Sequence, residues 1–409
     1  MASWWQSWFG GKQPNESELE AEMQRLREKT PVPTLWMFGK TGSGKSSIVR
    51  YLTGAESATI GAGFRPETKT SKRYDFPDSS DPLLRFIDTR GLGEAHYQPE
   101  EDIQRFSRKS ELMMVTVRVT DQALDQILEP LRRIRKDAPQ RPILLVLSCL
   151  HEALGQLDIS AGADPFQAPA SVNTAAAEPT AEEPNRAETT LAELPAIPSQ
   201  LQILIDQKVA QFEGLHDVVV PIDLTQPEDG FADPNYGGQR LKQTILEYLP
   251  HAYRQSLLTL NEPDARPLSS RQKRVRWHVL ASSALAATAG AVPLPWVDIP
   301  AVLAIQGYLA VRISKIHHQE ISAADWTVIS SVAGSRIALR MAIREALKFI
   351  PLVGMAVGAA TSFAVTYALG MTWDWYFAYK REGEVPSADK LRKVFAEQLK
   401  RGHELWRAT

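Results

Sequence analysis

One glycine-rich stretch carries residue types suited to binding a phosphate group. It runs Gly-Lys-Thr-Gly-Ser-Gly-Lys-Ser over residues 39–46, between an apolar run and a stretch that favours a helix. Glycines let backbone N–H groups curl around phosphates, and the N-terminus of the following helix adds partial positive charge. Lys45 is placed to reach the β- and γ-phosphates, and the Ser46 hydroxyl to ligate Mg²⁺. We predict that the phosphates contact Gly39, Lys40, Thr41, Gly42, Ser43, Gly44, Lys45, Ser46 and Ser47.

A second motif, further along the chain, suits the same chemistry. The strand-like run 83–87 ends in Asp88-Thr-Arg-Gly91. A carboxylate at a strand end can orient Mg²⁺ through water, and the amide of Gly91 can face a γ-phosphate. Between the two motifs lies Thr68, which could complete the Mg²⁺ shell and sense the γ-phosphate, with Thr70 as the competing candidate.

Together these motifs resemble those of Ras/Era-type GTPases of the translation-factor class, over about residues 31–250. The resemblance rests on residues 39–46, on Thr68 within a Pro-x-Thr pattern, and on residues 88–91. It implies a nucleotide-dependent switch that binds GTP with Mg²⁺ and hydrolyses GTP. The metal ligands implied are Ser46, Thr68 and Asp88.

The element that should recognise guanine departs from the family pattern. The family has Asn/Thr-Lys-x-Asp after its fifth strand, whereas this chain has Ser148-Cys-Leu-His151. The missing aspartate would accept two hydrogen bonds from guanine. Ser148 and His151 are predicted to contact the nucleotide, and His151, Glu152 or Asp223 could replace the acceptor. Otherwise base selectivity is weak.

The residues that would assist hydrolysis also depart from the family. Leu92 stands where Ras-like switches place a glutamine that orients the attacking water, and leucine cannot do this. Arg65 precedes Thr68 by three residues, which resembles the built-in arginine finger of Gα subunits; the alternative is a solvated loop arginine. We therefore expect catalysis to depend on Lys45, Thr68 and Arg65, and turnover to be slow unless self-association or a partner assists it.

The elements that position these residues alternate along the chain. Strand-like runs and helix-like stretches follow one another from about residue 31 to residue 250. This order predicts an α/β P-loop domain whose mainly parallel sheet carries helices on both faces. The segment of about 156–198, rich in Ala, Pro, Glu and Thr, is predicted to be a disordered insertion.

From about residue 251 the pattern predicts an all-α domain. The stretches 279–311 and 349–373 contain no Lys, Arg or Glu, and basic residues flank both. The first could dip into a membrane and turn at its prolines, and the second is long enough to span once. The alternative is a helical bundle with helices buried on all sides. Residues of about 270–380 resemble a bacterial domain catalogued as domain of unknown function 697, which occurs fused to GTPase domains and in inner-membrane proteins.

Bulk properties limit the remaining choices. A chain of 409 residues suggests two or three domains, which we place at 1–30 (an aromatic tail and a charged helix), 31–250 and 251–409. The net charge of −2 argues against a nucleic-acid partner, and the single cysteine fits a reducing compartment. We expect a GTPase at the cytoplasmic face of a bacterial inner membrane, with self-association possible. A dynamin-like membrane-remodelling GTPase and a P-loop ATPase are the alternatives.

Overall fold

The computed structural model divides into two compact units that interleave along the chain. It describes residues 16–29, 32–54, 65–66, 71–79, 81–89, 110–154, 166, 197–261, 268–291, 299–322, 324–326, 328 and 353–407. The nucleotide unit, as we call it, draws its described residues from Thr34–Tyr74 and Phe86–Tyr248. The helical unit draws them from Met1–Pro33, Asp75–Arg85 and Leu249–Thr409.

The described strands form one sheet in the order β2-β3-β4-β1-β5-β6-β7. Their bounds are β1 Thr34–Phe38, β2 Arg65–Pro66, β3 Ser71–Phe76, β4 Leu84–Thr89, β5 Leu112–Arg118, β6 Ile143–Ser148 and β7 Val218–Pro221. Strand β5 runs parallel to β1 and β6, and β7 runs parallel to β6, whereas β2 and β3 are antiparallel. The carboxyl ends of β1, β5, β6 and β7 therefore meet at one edge of the sheet.

The parallel strands are mostly apolar. All residues of β1 and β6 are buried, as expected when helices cover both faces of a parallel sheet. The described α-helices are α1 Glu16–Lys29, α2 Lys45–Thr53, α3 Asp125–Asp137, α4 Ser199–Gln211, α5 Gly238–Tyr248, α6 His251–Asn261, α7 Ser270–Gly290, α8 Ile299–Ile316, α9 Val353–Arg381 and α10 Ala388–Arg407. The predicted fold class, a mainly parallel α/β domain followed by helices, is confirmed.

Small residues allow the helices of the helical unit to approach one another closely. A Cβ atom on Gly370 of α9 would lie 2.7 Å from Val279 Cγ2 of α7, and one on Gly402 of α10 would lie 2.9 Å from Ala364 Cα of α9. Both distances are shorter than Cβ atoms tolerate, so glycine at these positions lets the helix axes come together. Helix α7 begins at a capping box in which Ser269 and Gln272 satisfy each other's backbone N–H groups.

Helix α1 packs within the helical unit. Its residues Leu19 and Met23 are buried in one apolar cluster with Ile305 and Tyr308 of α8. The apolar residues of this otherwise charged helix therefore face α8. The turn between β3 and β4 also belongs to this unit, where Asp81 is bound by side chains of α1 and α7.

The two apolar stretches that suggested a membrane contribute to α7, α8 and α9. Among the described helices, none is long and apolar enough to cross a membrane. The predicted turn at Pro293 and Pro295, the predicted insertion of 156–198 except residues 166, 197 and 198, and the aromatic tail of 1–15 lie outside the described residues.

Candidate nucleotide-binding site

The predicted phosphate loop joins β1 to α2 at the carboxyl edge of the sheet. Gly39 lies so close to β5 that a Cβ atom there would overlap the carbonyl oxygen of Thr116. Gly44 precedes α2 with a φ of 91°, a left-handed conformation that glycine adopts without strain. Its carbonyl accepts the first helical hydrogen bond, from the Ile48 N–H at 3.0 Å. The backbone of the loop thus leads directly into a helix N-terminus.

The ammonium group of Lys45 lies inside this loop. Its Nζ donates hydrogen bonds to the carbonyl oxygens of Gly39 and Lys40, each at 2.8 Å. The same Nζ lies 4.0 Å from Oδ1 of Asp88, an ion-pair distance that is too long for a hydrogen bond. Since β1, α2 and β4 bring these groups together, a phosphate that entered the loop would meet a cation that is already positioned.

The carboxylate of Asp88 is partly unsatisfied in the described structure. Its Oδ1 is buried and has no hydrogen-bond partner among the described residues. Burial raises the pKa of Asp88, and the charges of Lys45 and Lys72 oppose that rise. A buried carboxylate oxygen without a partner is costly, and a hydrated Mg²⁺ ion would satisfy it. Mg²⁺ needs only one or two carboxylates when phosphates supply other ligands, so the residues present fit this ion.

The end of β6 is tied to the phosphate loop. The Ser148 Oγ lies 2.8 Å from the carbonyl oxygen of Ser43, to which it donates, and 3.3 Å from that of Val117. Ser148 is buried, and it faces Gly44 as well. The predicted base-recognition segment therefore starts beside the predicted phosphate site, although 105 residues separate Ser148 from Ser43.

His151, which follows β6, and Asp223, which follows β7, lie in contact. The His151 backbone N–H and its ring Nδ1 lie 2.9 Å and 2.6 Å from Oδ2 of Asp223. The other oxygen, Oδ1, accepts the Thr225 N–H at 3.1 Å. Asp223 is only 1% exposed. Both of its oxygens are thus used inside the protein, which leaves His151 as the outward-facing member of the pair.

Glu152, the other acidic candidate, is held by the last residue of β5 and by a residue just after that strand. Its carboxylate accepts hydrogen bonds from the Arg118 guanidinium and, at 2.6 Å, from the Thr120 hydroxyl. The hydrogen bond with Glu152 raises the pKa of Arg118. Glu152 therefore anchors the short 3₁₀ turn of Leu150–Ala153.

A charged group that the sequence analysis missed lies next to the loop. Lys40 Nζ and Asp121 Oδ2 form an ion pair at 2.9 Å. The fully buried Lys208 of α4 donates to the backbone carbonyl of Asp121, and burial lowers its pKa. Lys208 falls at helical spacing with the buried Leu201 and Ile205. A lysine on the apolar face of a helix is a feature of the sequence that could have identified this residue.

The remaining predicted residues divide into two groups. Thr41, Gly42 and Ser46 are exposed at the loop and at the start of α2, beside the partly buried Ser47. Thr68, Thr70, Gly91 and Leu92 lie outside the described residues. Arg65 lies in β2, where its backbone pairs with Arg73 of β3, but its side chain is not among those described.

Comparison with known proteins identifies the type of domain. Residues 34–149 match the model of a family described as "50S ribosome-binding GTPase". The chain is also 31% identical over 144 residues to "Magnetosome membrane protein 22" of Magnetospirillum gryphiswaldense, which covers 33% of this chain and 71% of that relative. The family match confirms the predicted P-loop GTPase domain, with guanine nucleotide as its ligand class.

Two solved structures share low similarity with the chain. One is a GTP-binding protein from the archaeon Sulfolobus solfataricus in complex with GDP, at 14% identity and a TM-score of 0.24; the match covers 55% of this chain and 55% of that one. The other is a dimerization-deficient mutant of Toc33 from Arabidopsis thaliana, at 17% identity and a TM-score of 0.26, covering 55% of this chain and 87% of that one. The chain thus spans about half the length of the archaeal protein.

Proposed function

Because the chain belongs to one family with Magnetosome membrane protein 22 and contains a P-loop GTPase domain, we propose that it is a Mg²⁺-dependent GTP switch at a membrane. The main observation in support of nucleotide binding is the arrangement of Lys45 and Asp88. A cation within the loop stands 4.0 Å from a carboxylate oxygen that accepts no hydrogen bond from the residues the structure describes. This is the charge pattern that a phosphate with its metal ion would complete.

Each residue of the loop has a defined task in the proposal. Lys45 exchanges the carbonyl oxygens of Gly39 and Lys40 for phosphate oxygens, and the N–H groups of the loop bind the remaining oxygens. Ser46 and Asp88 would hold the metal ion. Bound Mg²⁺ would neutralise the charge that develops on the phosphate oxygens during transfer.

The switch and its turnover rest on residues next to this core. Thr68 and Gly91 respond to the γ-phosphate and order their loops when it is present. Leu92 cannot orient an attacking water, so intrinsic turnover is slow. Arg65 supplies charge to the transition state when self-association or a partner positions it.

Turnover measurements test the hydrolysis part. We expect a slow rate at low protein concentration that rises with concentration or on addition of liposomes. Arg65→Ala abolishes the rise, whereas Arg73→Ala, its pairing residue on β3, preserves it. A fast rate that depends on neither concentration nor lipid would contradict the proposal.

Competition against a fluorescent GTP analogue tests the choice of nucleotide. Excess GTP should displace the analogue, and excess ATP should not. Equal displacement by ATP would favour the P-loop ATPase alternative, since the guanine-recognising aspartate is absent.

Membrane association is proposed through residues 279–311 and 349–373. It is supported by the relative's name, by the basic residues that flank both stretches, and by the resemblance of about 270–380 to domain of unknown function 697. The location proposed is the cytoplasmic face of a bacterial inner membrane, because the basic flanks would remain on that side.

Flotation with liposomes tests this location. We expect the protein to rise with vesicles that contain anionic lipid, in the presence and absence of GTP. Failure to float in either state would favour a helical bundle that stays in solution. Vesicle deformation that requires GTP hydrolysis would instead favour the remodelling alternative.

A further inference from the structure

The segment after β6 and the segment after β7 meet at the carboxyl edge of the parallel sheet. His151 follows β6, and Asp223 follows β7. In open α/β sheets, ligands bind in the crevice outside the carboxyl ends of the strands. Because Ser148 is bonded to the phosphate loop through Ser43, the base of a nucleotide held by that loop would lie on this side of the sheet.

Asp223 determines the hydrogen-bonding character of the His151 ring. Its carboxylate can only accept hydrogen bonds, and its Oδ2 lies 2.6 Å from Nδ1. Nδ1 therefore carries the hydrogen, and in the neutral ring the other nitrogen, Nε2, presents a lone pair. The His151 backbone N–H, 2.9 Å from the same oxygen, fixes the ring's place at the start of the 3₁₀ turn.

We propose that His151 Nε2 accepts the N1–H of a 6-oxopurine base and that Asp223 is its positioning residue. This inference rests on the proposed binding of GTP at the phosphate loop. A carboxylate at this position would accept two hydrogen bonds from guanine, from N1–H and from the 2-amino group. The imidazole offers one lone pair, so the 2-amino group is left without an acceptor from this residue.

The described acidic side chains next to His151, those of Asp223 and Glu152, already accept hydrogen bonds from protein groups at both carboxylate oxygens. Both oxygens of Asp223 bind N–H groups of the protein. The two oxygens of Glu152 are held by Arg118 and Thr120. The ligand class is therefore set by the N1–H group, which guanine and hypoxanthine share.

Adenine is rejected for a local electrostatic reason. Its N1 carries a lone pair and no hydrogen, so it would face the lone pair of His151 Nε2. A buried polar group that loses its partner weakens binding strongly, whereas an unrecognised amino group changes it little. The site should accept guanosine and inosine nucleotides alike and exclude adenosine nucleotides.

Calorimetry with the three nucleoside diphosphates and Mg²⁺ tests this inference without interference from hydrolysis. We expect GDP and IDP to bind within about threefold of each other and ADP at least about 30-fold more weakly. His151→Ala should weaken GDP and IDP equally, by about 10-fold, and should strengthen ADP, because the lone pair that faces adenine N1 is removed; the gap between GDP and ADP therefore narrows. The conservative His151→Gln keeps an acceptor oxygen, so it should bind GDP and IDP more tightly than His151→Ala does.

The outcomes separate the two proposals. IDP binding at least about 30-fold weaker than GDP would overturn the role of His151 while leaving GTP binding intact. So would a His151→Ala variant with unchanged affinities. Absence of binding for all three nucleotides would overturn the proposed function itself, and this inference with it.

The role of Asp223 has its own measurement. Nitrogen NMR of the His151 ring in the wild-type protein should show the hydrogen on Nδ1 at neutral pH. Asp223→Asn should shift the ring toward the other tautomer and narrow the gap between GDP and ADP. An unshifted tautomer with an unchanged nucleotide preference would show that Asp223 is structural only and overturn its positioning role.

Discussion

The imidazole Nδ1 of His278 donates a hydrogen bond to Oδ2 of Asp81 at 2.6 Å, and the two side chains are 3% and 4% exposed. Arg27 also donates to this carboxylate, and Arg312 Nε lies 3.8 Å from it. Asp78, in the same turn, lies 3.8 Å from the far side of the imidazole. The turn between β3 and β4 is thus held by cationic and polar groups from α1, α7 and α8.

Asp81→Ala should strongly destabilise the helical unit. Removal of Asp81 leaves the partly buried Arg27 and the buried His278 without their shared acceptor, a change that typically costs about 3–5 kcal/mol. Urea unfolding followed by tryptophan fluorescence measures the loss. Asp389→Ala is the control, because Asp389 is 83% exposed and its ion pair with Arg392 is worth at most about 1 kcal/mol. Equal losses in the two variants would contradict the importance of the buried group.

Lys45→Ala should abolish nucleotide binding while the fold remains intact. The ammonium is the only charge described inside the loop backbone, and its partners there are carbonyl oxygens that bulk water can also satisfy. Calorimetric titration with a non-hydrolysable GTP analogue measures the loss, and circular dichroism checks the fold. Lys136→Ala, an exposed lysine on α3, should bind like the wild type. Unchanged affinity in Lys45→Ala would refute the site.

Gly39→Ala should disrupt the phosphate loop. The new methyl group would overlap the Thr116 carbonyl on β5, and such overpacking costs about 1–3 kcal/mol. The loop must move away from β5, so nucleotide affinity should fall by at least about 10-fold. Gly54→Ala is the matched control, since its φ of 65° is strained for alanine but no described atom would lie within 4 Å of the added methyl group. It should lose about 1 kcal/mol of stability and keep its affinity.

Asp88→Asn should stabilise the nucleotide-free protein at neutral pH. Burial raises the pKa of Asp88 above 3.8 in the folded state, so the folded protein binds more protons than the unfolded chain between 3.8 and the raised value. Stability conferred at this residue is therefore present at low pH and lost as pH rises through the folded pKa. Asp88→Asn removes the charge, so the variant should have a larger free energy of unfolding than the wild type at neutral pH. This difference should shrink as the pH falls toward 3.8.

Asp88→Asn should lose its stability advantage over the wild type once ligand is added. With Mg²⁺ and a GTP analogue, the wild type should gain stability by mass action and Asp88→Asn should gain less. Thermal unfolding in both conditions measures the reversal. Asp217→Asn is the control: its carboxylate accepts hydrogen bonds from Arg135 and the Ile143 N–H, both at 2.8 Å, so this variant should lose stability in both conditions. A parallel response of the two variants would contradict the account of Asp88.

Local patterns were enough to predict the phosphate loop and the parallel sheet. Residues 39–46 lie between a buried strand and a helix that are its immediate neighbours in the chain, so the spacing of Gly39, Gly44 and Lys45 could be interpreted without distant contacts. The apolar run of β6 likewise identified a strand buried on both faces. These features depend on a few consecutive residues and on the periodicity of side chains along a single helix or strand.

The pairings between distant residues required the tertiary structure. His151 and Asp223 were separate candidates in the sequence, 72 positions apart, and only the parallel alignment of β6 with β7 brings the two side chains within hydrogen-bonding distance. Asp81 and His278 are 197 positions apart and show no periodicity that links them. The sequence by itself determined which elements form and what chemistry the phosphate loop can do, because those depend on neighbours in the chain. The packing of strands and helices decided which polar side chains are satisfied internally and which, like Asp88 Oδ1, have no hydrogen-bond partner among the described residues.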